Sequence, residues 1–252
     1  MATATVTTIR ATASTTMHNG IHSHQPVAFL RLQTWLSPTF PTGSYSYSHG
    51  LEWAVEAGYV HDRVSLVDWL AADLHYGSGR NEAIFFAEAW SCAMNDDLEK
   101  LLEVAELSAS YRGTSEFALE SSQQGSACRF TLSQVWPDPH LERVSQMLAS
   151  RDIPSSLAVI LGISSAKQGI PIAIALPAFL QSYIANWVTA GVRLIPLGQT
   201  DGQAAIAALE DAVLATSADA STAMANDLGS AGFMVDLASM RHETQYTRLF
   251  RS

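Results

Sequence analysis

The stretch Pro171–Ile195, "PIAIALPAFLQSYIANWVTAGVRLI", decides how the rest of the chain is read. It is apolar around most of its circumference, the pattern of a helix with no face left to water. Its longest apolar run, "GIPIAIALPAFL" from Gly169, stops at Gln181 after two prolines. That is short of the roughly 20 residues a bilayer requires. A central helix of a soluble protein is expected, with Pro171 in its first turn and Pro177 kinking it. The preceding "SSLAVILGISSAKQG", Ser155–Gly169, is apolar in the same way and should lie beside it.

Outward from this pair, apolar residues recur at helical spacing almost everywhere. "VAFLRLQTWL" groups Phe29, Leu32 and Leu36 on one side, and "VSLVDWLAADLHYG" aligns Leu66, Leu70 and Leu74 between a Ser65 cap and a Gly77 stop. Helices follow at Arg80–Met94, at Asp96–Tyr111 with acids in its first turn, at Thr114–Trp136, at His140–Ser150 and at Asp201–Thr216. No run of strand alternation and no internal repeat is present. The expectation is an all-α protein, a single helical domain of about ten helices over residues 27–240. Residues 1–26 read as a flexible tail closed by Pro26, and 241–252 as a C-terminal tail.

The composition is 48% hydrophobic and 15% charged, apolar enough to imply surface hidden against a partner. A formal net charge of −10 argues against phosphate-backbone binding, so no nucleic-acid partner is expected. The sign is uneven: residues 1–51 hold Arg10 and Arg31 and no acid, while Arg241, Arg248 and Arg251 face only Glu243 near the end. Cys92 and Cys128 read as small buried hydrophobes in a reducing cytoplasm. The start, "MATATVTTIRATASTT", fits a plain tail or an organellar import sequence.

The stretch "LSPTFPTGSYSYSHGLEW", Leu36–Trp53, concentrates serines, tyrosines and a histidine around a proline-glycine turn. As a hydrolase loop it lacks GxSxG, and the adjacent Ser48 and His49 would not face each other. "GISSAKQG" has the wrong glycine spacing for a phosphate loop, and no Ser or Thr follows Lys167. Paired ExxH motifs are absent. His18, His22 and His24 have ligand spacing for nickel, zinc or copper in the tail, against a merely solvated tail. His61, His75, His140 and His242 read as structural. Tyr45 and Tyr47 suit either inward packing or anchoring of a partner. "RLIPLGQTDGQ" suits a helix-loop-helix link, and "MRHETQYTRLFRS" a fraying end or a peptide that orders in a groove.

Three segments in order, "LSPTFPTGSYSYSHGLEWAVEAG", "GVRLIPLGQTDGQ" and "MRHETQYTRLFRS", resemble the UreF family of urease accessory proteins over about residues 28–252. The resemblance implies an all-α homodimer without enzymatic activity. It would bridge the GTPase UreG and the scaffold UreD (UreH) for nickel insertion into apo-urease, in the cytoplasm and away from membranes. It would hold no tight cofactor, nickel being handled by the complex, and could modulate GTPase activity. It implies a partner interface at Tyr45, Tyr47, His49 and Glu52, at Arg193, Gly198 and Gln199, and at Arg248 and Arg251, with Lys167 kept for a surface contact. Gly198 would allow a positive φ or a close approach of a partner backbone. The alternative is a nickel-binding metallochaperone acting through His18, His22 and His24, which lie outside the resemblance.

Overall fold

The computed structural model describes residues 25–252. Among them are twelve α-helices, two short 3-10 turns and no strand. The helices are α1 (Gln25–Trp35), α2 (Leu51–Glu56), α3 (Arg63–Tyr76), α4 (Ser78–Met94), α5 (Leu98–Ser110) and α6 (Ser115–Val135). They continue as α7 (Pro139–Ser150), α8 (Leu157–Lys167), α9 (Ile172–Leu194), α10 (Gln199–Ala208), α11 (Glu210–Ala220) and α12 (Phe233–His242). The 3-10 turns are Ser44–Ser46 and Ala225–Asp227.

The core is built on α8, buried from Ala158 to Ala166. It lies along α4, and these two make the most extensive helix pair. Gly162 makes the approach possible: a Cβ there would stand 2.6 Å from the Phe86 carbonyl oxygen. Across them α9 buries Leu176, Phe179, Leu180, Ile184 and Trp187, with Phe179 stacked on Phe86 at 5.0 Å. Each such side chain contributes about 1.5–3 kcal/mol on leaving water. Helices α3, α10 and α11 pack on α9, α5 and α6 flank α4 and α8, and α12 packs on α2.

Local chemistry sets the boundaries. Asp62 caps α3 through the Ser65 amide at 2.8 Å, so Ser65 is the return half of a capping box rather than the cap. Gly77 ends α3 as expected. Asp97, Thr114, Asp138 and Ser156 cap α5, α6, α7 and α8 with their side chains.

Several expectations are corrected. The buried stripe of α1 is Ala28, Leu32 and Trp35, and Phe29 faces out. The helix starts at Gln25, with Pro26 in its first turn where no amide is needed. Pro171 caps α9 from outside rather than sitting in its first turn, and Pro177 lies within the helix. At 23 residues α9 is long and apolar enough by composition to cross a bilayer, because the helix continues beyond Gln181. Its Trp187 and Phe179 are instead buried against other helices. The count exceeds ten because the Asp201–Thr216 segment breaks at Leu209 into α10 and α11, and because α12 was not anticipated.

The α4–α8 contact is testable. Gly162→Ala should lower stability by about 1–3 kcal/mol in urea unfolding, since the new methyl meets backbone that cannot step aside. A variant as stable as the parent would contradict the close approach.

Candidate functional site

The first loop and the last residues of the described chain meet at one seam. Glycines at 43 and 50, both with left-handed φ, bracket the loop, and a Cβ on Gly50 would stand 2.5 Å from the Ser239 amide of α12. That contact brings the start of α2 against α12, and residues 243–252 then run back along the loop. The Arg251 amide donates to the Ser46 carbonyl at 2.8 Å, and the Ser48 amide and hydroxyl both donate to the Ser252 carbonyl.

Three carboxylates are buried at this seam. Glu52 on α2 accepts from the Leu249 and Phe250 amides at 2.6 and 2.9 Å. Glu116 on α6 pairs with Arg248 at 3.0 Å. Between them His242, 0% exposed, sets Nε2 at 3.2 Å from Glu52 and Nδ1 at 2.9 Å from Glu116. One helical turn beyond Glu116, Glu120 meets His49 Nε2 at 3.1 Å, the Ser252 hydroxyl at 3.0 Å and the Gln124 amide at 2.7 Å. Burial pushes Glu120 up to about 8 and His49 down to about 3, so at neutral pH the proton sits on Glu120. The His49 ring stacks on Trp187 at 4.3 Å. Its backbone has φ 55, a strained value for a residue with a Cβ.

His49 and Glu120 line a partly enclosed cavity of about 560 Å³ between α4, α6, α8, α9 and the first loop. Glu82 and Arg112 form an ion pair in its wall, with the guanidinium also donating to the Ser108 carbonyl at 2.8 Å. Tyr183 donates to Asp73 at 2.9 Å, and that carboxylate also accepts from the Ser78 and Gly79 amides at the start of α4. Burial raises Asp73 and Tyr183 above their ordinary values.

The residues singled out in the sequence divide. Tyr45 is 69% exposed, whereas Tyr47 is 2% exposed and donates to Gln123. His49 and Glu52 are buried and answered within the chain. Arg193 donates to the Tyr45 carbonyl at 3.2 Å and lies 4.4 Å over the Phe250 ring. Gly198 caps α10 with φ −79, so no positive φ explains it, and within the chain a Cβ there would meet nothing closer than 3.7 Å. Gln199, exposed, opens α10. Arg248 is bonded to Glu116, while Arg251 holds Ser46 by its backbone. Lys167 pairs with Asp96, which also lies 3.3 Å from His140. His18, His22 and His24 fall outside the described residues.

Sequence reasoning missed Glu116, Glu120 and Arg112, and left His242 as a default structural residue. The i, i+4 spacing of the two glutamates was the available signal, since it places both on one helix face. Ser48 and His49 turn to different partners, so the loop holds no nucleophile–base pair. Both cysteines are buried, with their thiols raised by burial. Among the described residues no group of three or more His, Cys, Asp or Glu is arranged to hold a metal ion. The two ring nitrogens of His242 are each spent on a separate carboxylate.

The fold and seam define an all-helical protein whose interior ionic groups hold its own chain segments together. The comparisons specify it further. The UreF family model matches residues 60–210. The urease accessory protein UreF of Rhodopseudomonas palustris strain BisB5 is 46% identical over 238 residues, 94% of this chain and 97% of that protein. That of Granulibacter bethesdensis is 49% identical over 226 residues, 89% and 94% respectively. That of Bradyrhizobium diazoefficiens is 44% identical over 230 residues, 91% and 94%. The chain belongs to the UreF family of urease accessory proteins, which implies a part in urease maturation.

Glu120 gives a pH test. Its raised value means that its contribution is complete below the unfolded value of 4.5 and is lost as pH rises through about 8. Urea unfolding at pH 5, 7 and 9 should show stability falling with pH, and falling less steeply in Glu120→Gln. Equal slopes would mean that Glu120 does not titrate in this range.

Proposed function

We propose that this protein is a non-catalytic scaffold of urease maturation: a homodimer that joins UreD (UreH) to the GTPase UreG so that nickel reaches apo-urease, without holding the metal tightly itself. The observation that supports it best is the outer face of α12. Phe233, Met234, Leu237 and Met240 are exposed along one helix whose opposite side is sealed against α2. Tyr246 and Leu249 in the segment that follows are exposed as well, and Arg241, Arg248 and Arg251 bring positive charge to this end of an otherwise acidic chain. An exposed apolar helix face is the form of a protein–protein contact. UreD is the occupant proposed for it.

A second copy is assigned to the outer side of α9. Ala173, Ile174 and Thr189 stand exposed on it. Tyr45, at the rim of the cavity beside the same helix, is the loop residue free to meet a partner.

Size-exclusion chromatography with light scattering tests this reading, first on the chain alone, then with UreD, then with UreD, UreG, GTP and nickel. A dimer that enlarges at each step is expected. Phe233→Asp with Met240→Asp should weaken UreD binding more than tenfold and leave helicity and dimerisation intact. Ile174→Asp should yield a monomer. Deleting residues 1–24 should leave the bridge intact, whereas a metallochaperone acting through His18, His22 and His24 would lose its metal. A monomer indifferent to both partners would overturn the scaffold.

A further inference from the structure

The contact between His242 and its two glutamates has a property that ordinary buried ion pairs lack. Both partners, Glu52 and Glu116, are carboxylates at hydrogen-bond distance from the ring nitrogens, one on each. An ionised carboxylate only accepts, and a neutral imidazole has one N–H to give. With a neutral ring, one nitrogen lone pair must therefore face a carboxylate in a buried site. Only the doubly protonated ring satisfies both.

The same two glutamates hold the last residues of the chain. Glu52 accepts the Leu249 and Phe250 amides, and Glu116 accepts Arg248. With the ring charged, His242 and Arg248 balance Glu52 and Glu116. With it neutral, one cation faces two buried anions, which costs free energy unless something moves. What can move is the segment after α12. Residues 243–244 and 246–249 are exposed, and Tyr246 touches almost nothing. We propose that His242 is a positioning residue whose protonated ring, gripped between Glu52 and Glu116, fastens residues 243–252 onto α2 and α6, and that the segment loosens when the ring loses its proton.

The other charged groups around the strap do not substitute for this. Glu243 accepts from the Ser115 hydroxyl at 2.6 Å, and Glu56 accepts from the Gln245 side-chain amide. Arg193 sits on the Phe250 ring, and Arg251 binds through its backbone. Glu120 and His49, one turn along α6, form their own pair. Asp236 and Arg241 are on α12 itself, and neither bonds the imidazole. Burial alone would lower the His242 value, but its hydrogen bonds and charge contacts with Glu116 and Glu52 outweigh that and raise it. A raised histidine contributes stability that is complete below pH 6.5 and is lost as pH climbs through its folded value. The strap is therefore held below pH 6.5 and loosens as pH climbs through the ring's raised folded value.

The device lies within one chain and does not depend on the scaffold reading, so it is tested without partners. Hydrogen–deuterium exchange of the full chain is measured from pH 6 to 9, corrected for intrinsic rates, alongside an NMR titration of the His242 ring. Protection at the Leu249, Phe250 and Arg251 amides should fall at least tenfold over this range, with the midpoint of the ring titration, while α9 stays protected. His242→Gln should show the low, pH-independent protection throughout. Should that variant fail to fold by circular dichroism, Glu116→Gln supplies the test with the opposite sign: its oxygen still accepts from Arg248, its amide can donate to a neutral ring, and the Leu249 and Phe250 amides keep Glu52, so protection should persist at pH 9. Unchanged protection in the parent across the range would overturn the proposal. So would the parent's full pH dependence surviving in either variant.

Discussion

Burying carboxylates without burying their counter-charges is among the costliest things a small protein can do. Glu52, Glu116 and Glu120 are all buried at one seam, and much of the surrounding structure exists to answer them. The chain brings a histidine from α12 and an arginine and two backbone amides from its last residues to Glu52 and Glu116, while Glu120, kept protonated by burial, meets the neutral histidine of the first loop. These groups lie as much as 200 positions apart in the sequence, so their convergence constrains the fold globally. Gly50 is the steric condition for it, because any side chain there would meet the backbone of α12.

The seam changes the meaning of the serine- and tyrosine-rich loop. Its residue types suggest a reactive site or a sticky surface, yet Tyr47, Ser48, His49 and Glu52 are turned inward and answered by the chain itself. Tyr45 is left facing out, with its carbonyl held by Arg193. The late arginine and the terminal aromatic meet in the same place, through Arg193 over Phe250. Three segments that look like three separate signatures in the sequence are parts of one construction. For an accessory protein this is a coherent design: ionic chemistry is spent on placing segments, and the apolar face of α12 remains on the outside.

Much of the fold was legible because helical periodicity is local. The stripes of α3, α8 and α9 and the stop at Gly77 follow from spacing and residue type alone. Helix α12 was not legible, since its outward side carries Phe233, Met234, Leu237 and Met240 and the contrast between its faces disappears. The break at Leu209 was hidden by alanine, which continues a helix as readily as it ends one. The site was legible only in outline. Glu52 and His49 could be picked out, but whether they look outward or inward depends on groups far away in sequence. His242 carried no local signal at all. Its role follows from having two carboxylates and no other partner, a fact of tertiary structure.

The buried histidine and its glutamates join α12 and the last residues to α2 and α6. A double-mutant cycle in urea unfolding at pH 6, combining Glu116→Gln with His242→Gln, measures that link directly. A coupling energy of about 1–3 kcal/mol is expected for two groups in one buried network. Additive effects, within about 0.3 kcal/mol, would contradict it.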